Sequence, residues 1–219
     1  MNNIYGEQHR ALQQSFDTER LADRVKELIV LAEIPDMHKS FIENRDMFFL
    51  TTVDHRGYPT CSYKGGEPGF VKVLDNSTIA FPSYDGNGMF LSIGNITANA
   101  KVGMLFIDFE TPHRLRVHGI ANVDKNDALI SSFLGAELVV RVVVTEIFVN
   151  CPRYIHQYQR LGTSKYAPRI GCETPQPPQW KRIDAVQDVL PVRESGLAEK
   201  LGGTISPEQY GEMLMKGEG

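Results

Sequence analysis

Between Met47 and Val149 the chain repeats one pattern, a short run of Val, Ile, Phe, Leu and Thr followed by a cluster of Asp, Asn, Gly, Ser or Pro. Runs of β-branched and aromatic residues suit a pleated, half-buried strand, and the clusters between them are turn chemistry. Met47–Val53 and Pro59–Tyr63, joined through Asp54, His55, Arg56 and Gly57, read as a first hairpin. Phe70–Leu74 and Thr78–Phe81 flank Asp75, Asn76 and Ser77 as a second. Val102–Phe109 turns through Thr111 and Pro112 into Arg114–Val123, and Leu138–Val149 adds another long strand. Few helices interrupt these segments, so the pattern predicts a mainly β fold of about six or seven strands, mostly antiparallel, closing into a barrel with flanking helices.

Helical spacing occurs outside that region and once within it. Leu21, Val25, Leu28, Ile29 and Ala32 recur at helical period after the candidate caps Asp17 and Thr18, and Pro35 ends the pattern. Further helices are predicted over Met37–Asn44 and around Met89, Phe90, Ile93 and Ile96. Pro152 at a first helical turn, with Tyr154, Ile155 and Tyr158 beyond, predicts another. After a Pro- and Gln-rich stretch from Thr174 to Trp180, short helices are expected around Ile183–Val189, Glu194–Leu201 and Pro207–Met215. The organisation is an N-terminal helical extension (1–36), a barrel domain (37–160) and a helical tail (161–219) that packs on the barrel or on a partner. No repeat of fixed period is present, which argues against solenoids and propellers.

A formal charge of −4 provides no broad basic field, so nucleic acid and anionic membranes are not expected partners. The most apolar stretch, Leu138–Val149, carries Arg141 and Glu146 and is too short to span a bilayer. Met1–Phe16 is polar and lacks the apolar core of a signal peptide, and three widely spaced cysteines, Cys61, Cys151 and Cys172, do not form a disulfide framework. Both features fit a cytoplasmic protein.

Candidate chemistry lies between strands. Pro82, Ser83, Tyr84, Asp85, Gly86, Asn87 and Gly88 follow a strand and precede a helical stretch. Such a loop lets backbone approach a ligand, and the N-terminus of the following helix offers free amides to a phosphate. On spacing alone the same residues are an ordinary turn. Arg114, Arg116 and His118 alternate along one strand and share a face. Forked guanidinium donors there suit phosphate or carbonyl oxygens, while alternation by itself is equally a solvated face.

Taken together, Gly57–Pro59, the strand into Pro82, the Asp85–Asn87 loop, Gly94–Ile96, Val102–Phe106 and Leu115–Gly119 resemble the pyridoxamine 5'-phosphate oxidase-related family over roughly Met37 to Tyr158. The resemblance implies a Greek-key split barrel that binds FMN at the interface of a homodimer. It implies that Ser62, Tyr63 and Lys64 run beside the flavin. Ser83, Tyr84, Asp85, Gly86 and Asn87 would lie near its phosphate and ribityl chain, and Arg114 would touch the flavin. Arg116 and Asn95 complete the expected cofactor set. In members that oxidise pyridoxamine phosphate, an Arg stands where this chain has Ser62 and a Lys where it has Glu67. Their Ser-Arg-Lys phosphate loop is replaced by Gly86, Asn87 and Gly88, and their C-terminal Arg-Leu-His segment is absent. Losing those cations disfavours a doubly charged substrate, so the expectation is an FMN-dependent oxidoreductase for another small molecule, with NADH or NADPH as a candidate donor. No catalytic side chain is assigned, because a flavin carries redox chemistry with few protein groups.

The alternatives are a non-catalytic flavin-binding or sensory module, a deazaflavin in place of FMN, and haem with His118 or His156 as axial ligand. No metal site is expected: His113 and His118, five apart on a strand, face opposite ways, and no carboxylate cluster has ligand spacing. Cys151 reads as a small buried residue ending its strand rather than a reactive thiol, and Trp180 as an anchor for the tail rather than a cover for a ligand.

Overall fold

The computed structural model describes residues 4–172 and 176–219, so the first three residues and the start of the Pro- and Gln-rich stretch lie outside the described residues. The chain divides into two units, one of residues 1–163 and 167–173, the other of 164–166 and 174–219.

In the first unit, seven strands form one antiparallel sheet in the order β2-β1-β5-β6-β7-β4-β3. They are β1 (Met47–Val53), β2 (Pro59–Gly65), β3 (Lys72–Val73), β4 (Thr78–Tyr84), β5 (Lys101–Asp108), β6 (His113–Asp124) and β7 (Ala136–Val149). Three strands separate β1 from β4 in that order, a span of about 19 Å in a flat sheet. The rings of Phe48 on β1 and Phe81 on β4 are nevertheless 5.0 Å apart. The sheet therefore curls around its own core, while its edge strands β2 and β3 do not pair with each other. The expected barrel is split rather than closed.

Alternation builds that core. Phe48, Leu50 and Thr52 of β1 point inward between exposed or half-buried neighbours, as do Val102, Met104 and Phe106 of β5 and Leu115 and Val117 of β6. Each fully buried Phe or Leu contributes about 1.5–3 kcal/mol of apolar transfer. The β1–β2 turn is set by Asp54, whose carboxylate accepts from the amides of Arg56 and Tyr58 at 2.9 Å, and by Gly57 at φ +88°.

The long strand β7 carries a bulge. His118 pairs with Glu146 and Gly119 with Val144, leaving Thr145 as the extra residue. Val140, Val142 and Val144 are buried before it and Ile147 after it, so the inward positions change from even to odd. Without that switch Glu146 would take the inward place. A Cβ at Gly119 would stand 2.5 Å from Val142 Cγ1 and 2.6 Å from Val143 O, so the bulge needs glycine opposite.

The helices depart further from sequence expectation than the strands. α1 (Glu7–Ser15) and α2 (Glu19–Ile29) form the N-terminal extension and bury no residue within the chain. α2 stops before Ala32 because Leu31 exchanges both backbone hydrogen bonds with Ile147 of β7, at 2.9 Å each. α3 (Asp36–Glu43) forms one residue ahead of its expected span Met37–Asn44, and α4 (Leu91–Ala98) begins two residues later than Met89, after Phe90 in the left-handed region. The helix expected from Pro152 does not form. Only Ile155 N–H closes a turn, onto Pro152 O; Tyr158 N–H goes to Phe109 O and Arg160 N–H to Glu110 Oε1, so the β5–β6 turn takes the donors a helix would have used. Cys151 is exposed rather than buried, since β7 ends at Val149 and only the Cys151 carbonyl is held, by Arg114 Nη2 at 3.0 Å.

In the second unit, the helix expected at Ile183–Val189 shrinks to a 3-10 turn at Asp184–Val186, because Ile183 forms a parallel bridge with Ile205. The one expected at Glu194–Leu201 becomes α5 (Leu197–Lys200), with Gly196 at φ +72° before it. α6 (Pro207–Met215) starts as expected: Ser206 Oγ accepts from Gln209 N–H while Gln209 Oε1 accepts from Ser206 N–H. Trp180 is half-buried with Lys181 Nζ 5.6 Å from its ring centre, and Lys181 pairs with Glu194 at 2.8 Å.

Candidate functional site

One polar corner gathers on the inner side of the β1–β2 hairpin. Register pairs Phe48 with Lys64, Leu50 with Ser62 and Thr52 with Thr60, so Thr60, Ser62 and Lys64 share the inward face. α4 lies against them. Ser62 Oγ and Ser92 Oγ are 3.0 Å apart, and Asn95 Nδ2 donates to Thr52 Oγ1 at 3.0 Å and to Thr60 Oγ1 at 3.1 Å. Thr52 is 1% exposed, so these bonds satisfy a hydroxyl that water cannot reach.

Ser92 belongs to the first turn of α4, whose N–H groups have no intrahelical acceptor. That turn follows the Asp85–Gly88 loop directly. Asn87 closes the loop on itself, accepting from Met89 N–H at 3.1 Å, and Gly88 takes φ +76°. Lys64, two residues along β2 from Ser62 or about 7 Å, is half-buried and has no acidic partner among the described residues. Burial pushes its ammonium below the usual lysine value.

Ser62 and Asn95 are thus brought to one place with the first turn of α4, and Lys64 is close by, while the Asp85–Gly88 loop is exposed and precedes that turn in sequence. Ser83 is half-buried at the end of β4. Tyr84, beyond an irregularity at Ser83/Tyr84, lines a separate cleft of about 370 Å3 with Glu67, Phe70, Phe133 and Arg169. Burial raises its phenol to about 12.

Tyr63 and the arginines face the other way. Across the outer surface, Tyr63, Phe49, Leu105, Arg116 and Phe148 stand in one row of register; Cys61, Thr51, Gly103, His118 and Glu146 stand in the next. Arg116 is exposed and has no acidic partner among the described residues, while Arg114 is tied to the Cys151 carbonyl. His118 Nδ1 is 2.9 Å from Glu146 Oε2, and His156 is exposed. His113 faces inward instead, its ring edge-on to Phe41 at 4.6 Å.

Sequence reasoning missed Thr52, Thr60 and Ser92. The signal was available at Thr52, a polar residue in phase with Phe48 and Leu50, but the helix that reaches it is forty residues away in sequence.

Among solved structures, the chain resembles HupZ of Group A Streptococcus at 20% identity, covering 57% of this chain and 99% of that one with a TM-score of 0.45. It resembles an FMN-binding protein of Syntrophomonas wolfei at 15% identity, over 64% of this chain and 97% of that one, TM-score 0.42. It also resembles HutZ, the haem storage protein of Vibrio cholerae, at 18% identity over 53% and 94%, TM-score 0.39. No curated protein matches. The family model described as pyridoxamine 5'-phosphate oxidase matches residues 34–150, more than half of the chain's 219 residues. The match takes in the whole seven-stranded sheet, and the chain belongs to the pyridoxamine 5'-phosphate oxidase family.

Proposed function

We propose that the chain binds FMN and works as a flavin-dependent oxidoreductase on a small molecule, in a site that two copies complete. The observation that carries the reading is Lys64. A half-buried ammonium without a carboxylate is costly, and a phosphate offsets that cost. About 7 Å along the strand lie Ser62 and, bonded to it, Ser92 in the first turn of α4, hydroxyls and amides that can donate to an anion. The residues present fit a phosphorylated cofactor.

The outer row supports the second copy. Arg116 lies on β6, three strand spacings or about 14 Å from β2, and on the opposite face from Ser62 and Lys64. One ligand reaches both sets most simply if one copy supplies the inner corner and the other its outer strip.

When bound, FMN supplies hydride transfer at its ring. Lys64, Ser62 and the α4 amides hold the phosphate, and the Asn95 clamp fixes α4 against the hairpin. Tyr63 and Arg116 orient and cover the ring side. The cations of the vitamin oxidases have no counterpart at Ser62 and Glu67, so a neutral or singly charged substrate fits better than pyridoxamine phosphate.

The test is the absorption spectrum of the purified protein and the mass of the ligand released from it. Flavin bands and the mass of FMN are expected, followed by bleaching with NADH or NADPH. A colourless preparation that takes up no FMN, or release of a deazaflavin or haem, overturns the FMN reading; failure of both nicotinamides removes that donor class.

A further inference from the structure

A cleft of about 870 Å3 opens between α3 and the adjoining ends of β6 and β7, and none of the residues assigned to the flavin lines it. Its apolar wall is Met37, Phe41 and Val149; its polar groups include His38, Arg45 and His113. Among the described residues no carboxylate lines it.

Two of its side chains are short of partners. His38 is only 8% exposed, and its Nδ1 has no hydrogen-bond partner. Arg45 lies over the Phe41 ring, 4.9 Å from its centre, with Nη1 held by Asp108 at 2.6 Å, while its buried Nε has none. Arg45 Nε–H is a buried donor left unpaired, and His38 is a second in its Nδ1–H tautomer; such groups are costly, and one that only accepts hydrogen bonds is their natural complement. The edge-on pair of His113 and Phe41 adds an aromatic wall beside them. A metal is a poorer occupant, because no group of three ligating side chains gathers anywhere among the described residues.

We infer that this cleft is a second ligand site, for a small organic carboxylate with an aromatic or aliphatic body. The carboxylate accepts from the Arg45 guanidinium and the histidines, and the body lies against Phe41, Met37 and Val149. A volume in this range is ordinary for a small-molecule site. The inference stands apart from the flavin reading, since it uses none of the same residues.

The experiment titrates the full chain with benzoate, with benzamide as the neutral isostere, and with inorganic phosphate. It follows melting temperature and the imidazole proton resonances, assigned with His38→Gln and His113→Gln. Benzoate is expected to raise the melting temperature saturably and to move both imidazole signals. Benzamide should bind about tenfold or more weakly, the difference a charge-assisted bond makes. Ser40→Trp, at an exposed position of the lining, should abolish the response. Equal binding of benzamide, a benzoate response that survives Ser40→Trp, a response to phosphate in place of benzoate, or no response in the wild type would each overturn it.

Discussion

The inner face of β2 and the outer face of β6 hold most of the polar side chains near the candidate flavin site, and they are built differently. On the inner face, Ser62 and Ser92 form one hydrogen-bonded pair and Thr52, Thr60 and Asn95 a bonded triad, at 2.8–3.1 Å. On the outer face, Arg116 has no acidic partner among the described residues and His118 has one carboxylate. Polar groups bonded within one chain are organised before any ligand arrives, whereas a strip of exposed charge beside Phe49, Leu105 and Phe148 faces solvent. One chain thus joins a corner whose polar groups are bonded within it to a strip whose charge is exposed.

Lys64→Glu attacks the inner half most directly. Replacing the unpaired cation by an anion beside a phosphate should weaken FMN binding roughly a hundredfold, near 3 kcal/mol, while leaving association of copies intact. Fluorescence titration with FMN measures it, and an unchanged affinity would break the comparison at its centre. Asn95→Ala comes next. It removes both bonds from Asn95 to the hairpin, leaving Ser92 on Ser62, and should cost about 1–3 kcal/mol in urea unfolding, with flavin uptake falling in step.

Arg116→Glu probes the outer half. Chain stability should stay within about 0.5 kcal/mol, as for most exposed substitutions. Sedimentation should show copies separating at about tenfold higher concentration than the wild type, as rim charges do at interfaces. If Arg116→Glu lowers flavin affinity at concentrations where copies remain together, the outer row touches the ligand itself.

The smallest effect is the most specific. Burial holds Lys64 below the usual 10.5 in the folded chain. The unfolded chain therefore binds more protons across the window from that lowered value up to 10.5, and apo stability rises with pH there. FMN affinity should fall across the same window as the cation is lost. Opposite slopes in unfolding and binding experiments between neutral pH and about 10.5 would identify Lys64 as the phosphate partner, and Lys64→Arg should flatten both.

Much of the barrel was legible because alternation is a local signal. Met47–Val53 forms β1 with its predicted ends, since Phe48, Leu50 and Thr52 keep strict phase between Asp46 and the Asp54 turn. That Ser62 and Tyr63 face opposite ways also follows from period two. Which of them faces inward did not, because that depends on what β1 and α4 present from afar. The helix imagined after Pro152 failed for the same reason: its N–H groups found acceptors at Phe109 and Glu110, more than forty residues upstream. Leu21, Val25 and Leu28 gave a true helix, but periodicity could not say that nothing in the chain would bury it.

The extra residue in β7 has a consequence for how this strand tolerates change. At position 145 the side chain matters little; what matters is that Thr145 and Glu146 stand together on the outer face. Straightening the strand with both in place would turn Glu146 toward the phenylalanines and send Ile147 out to water, whereas losing the extra residue would leave Val144 in, Glu146 out and Ile147 in by plain alternation. The loops near 85–90 and 125–135 have no such phase to keep. Length variation belongs in those loops, and within β7 only the bulge can give up a residue without exchanging the two faces.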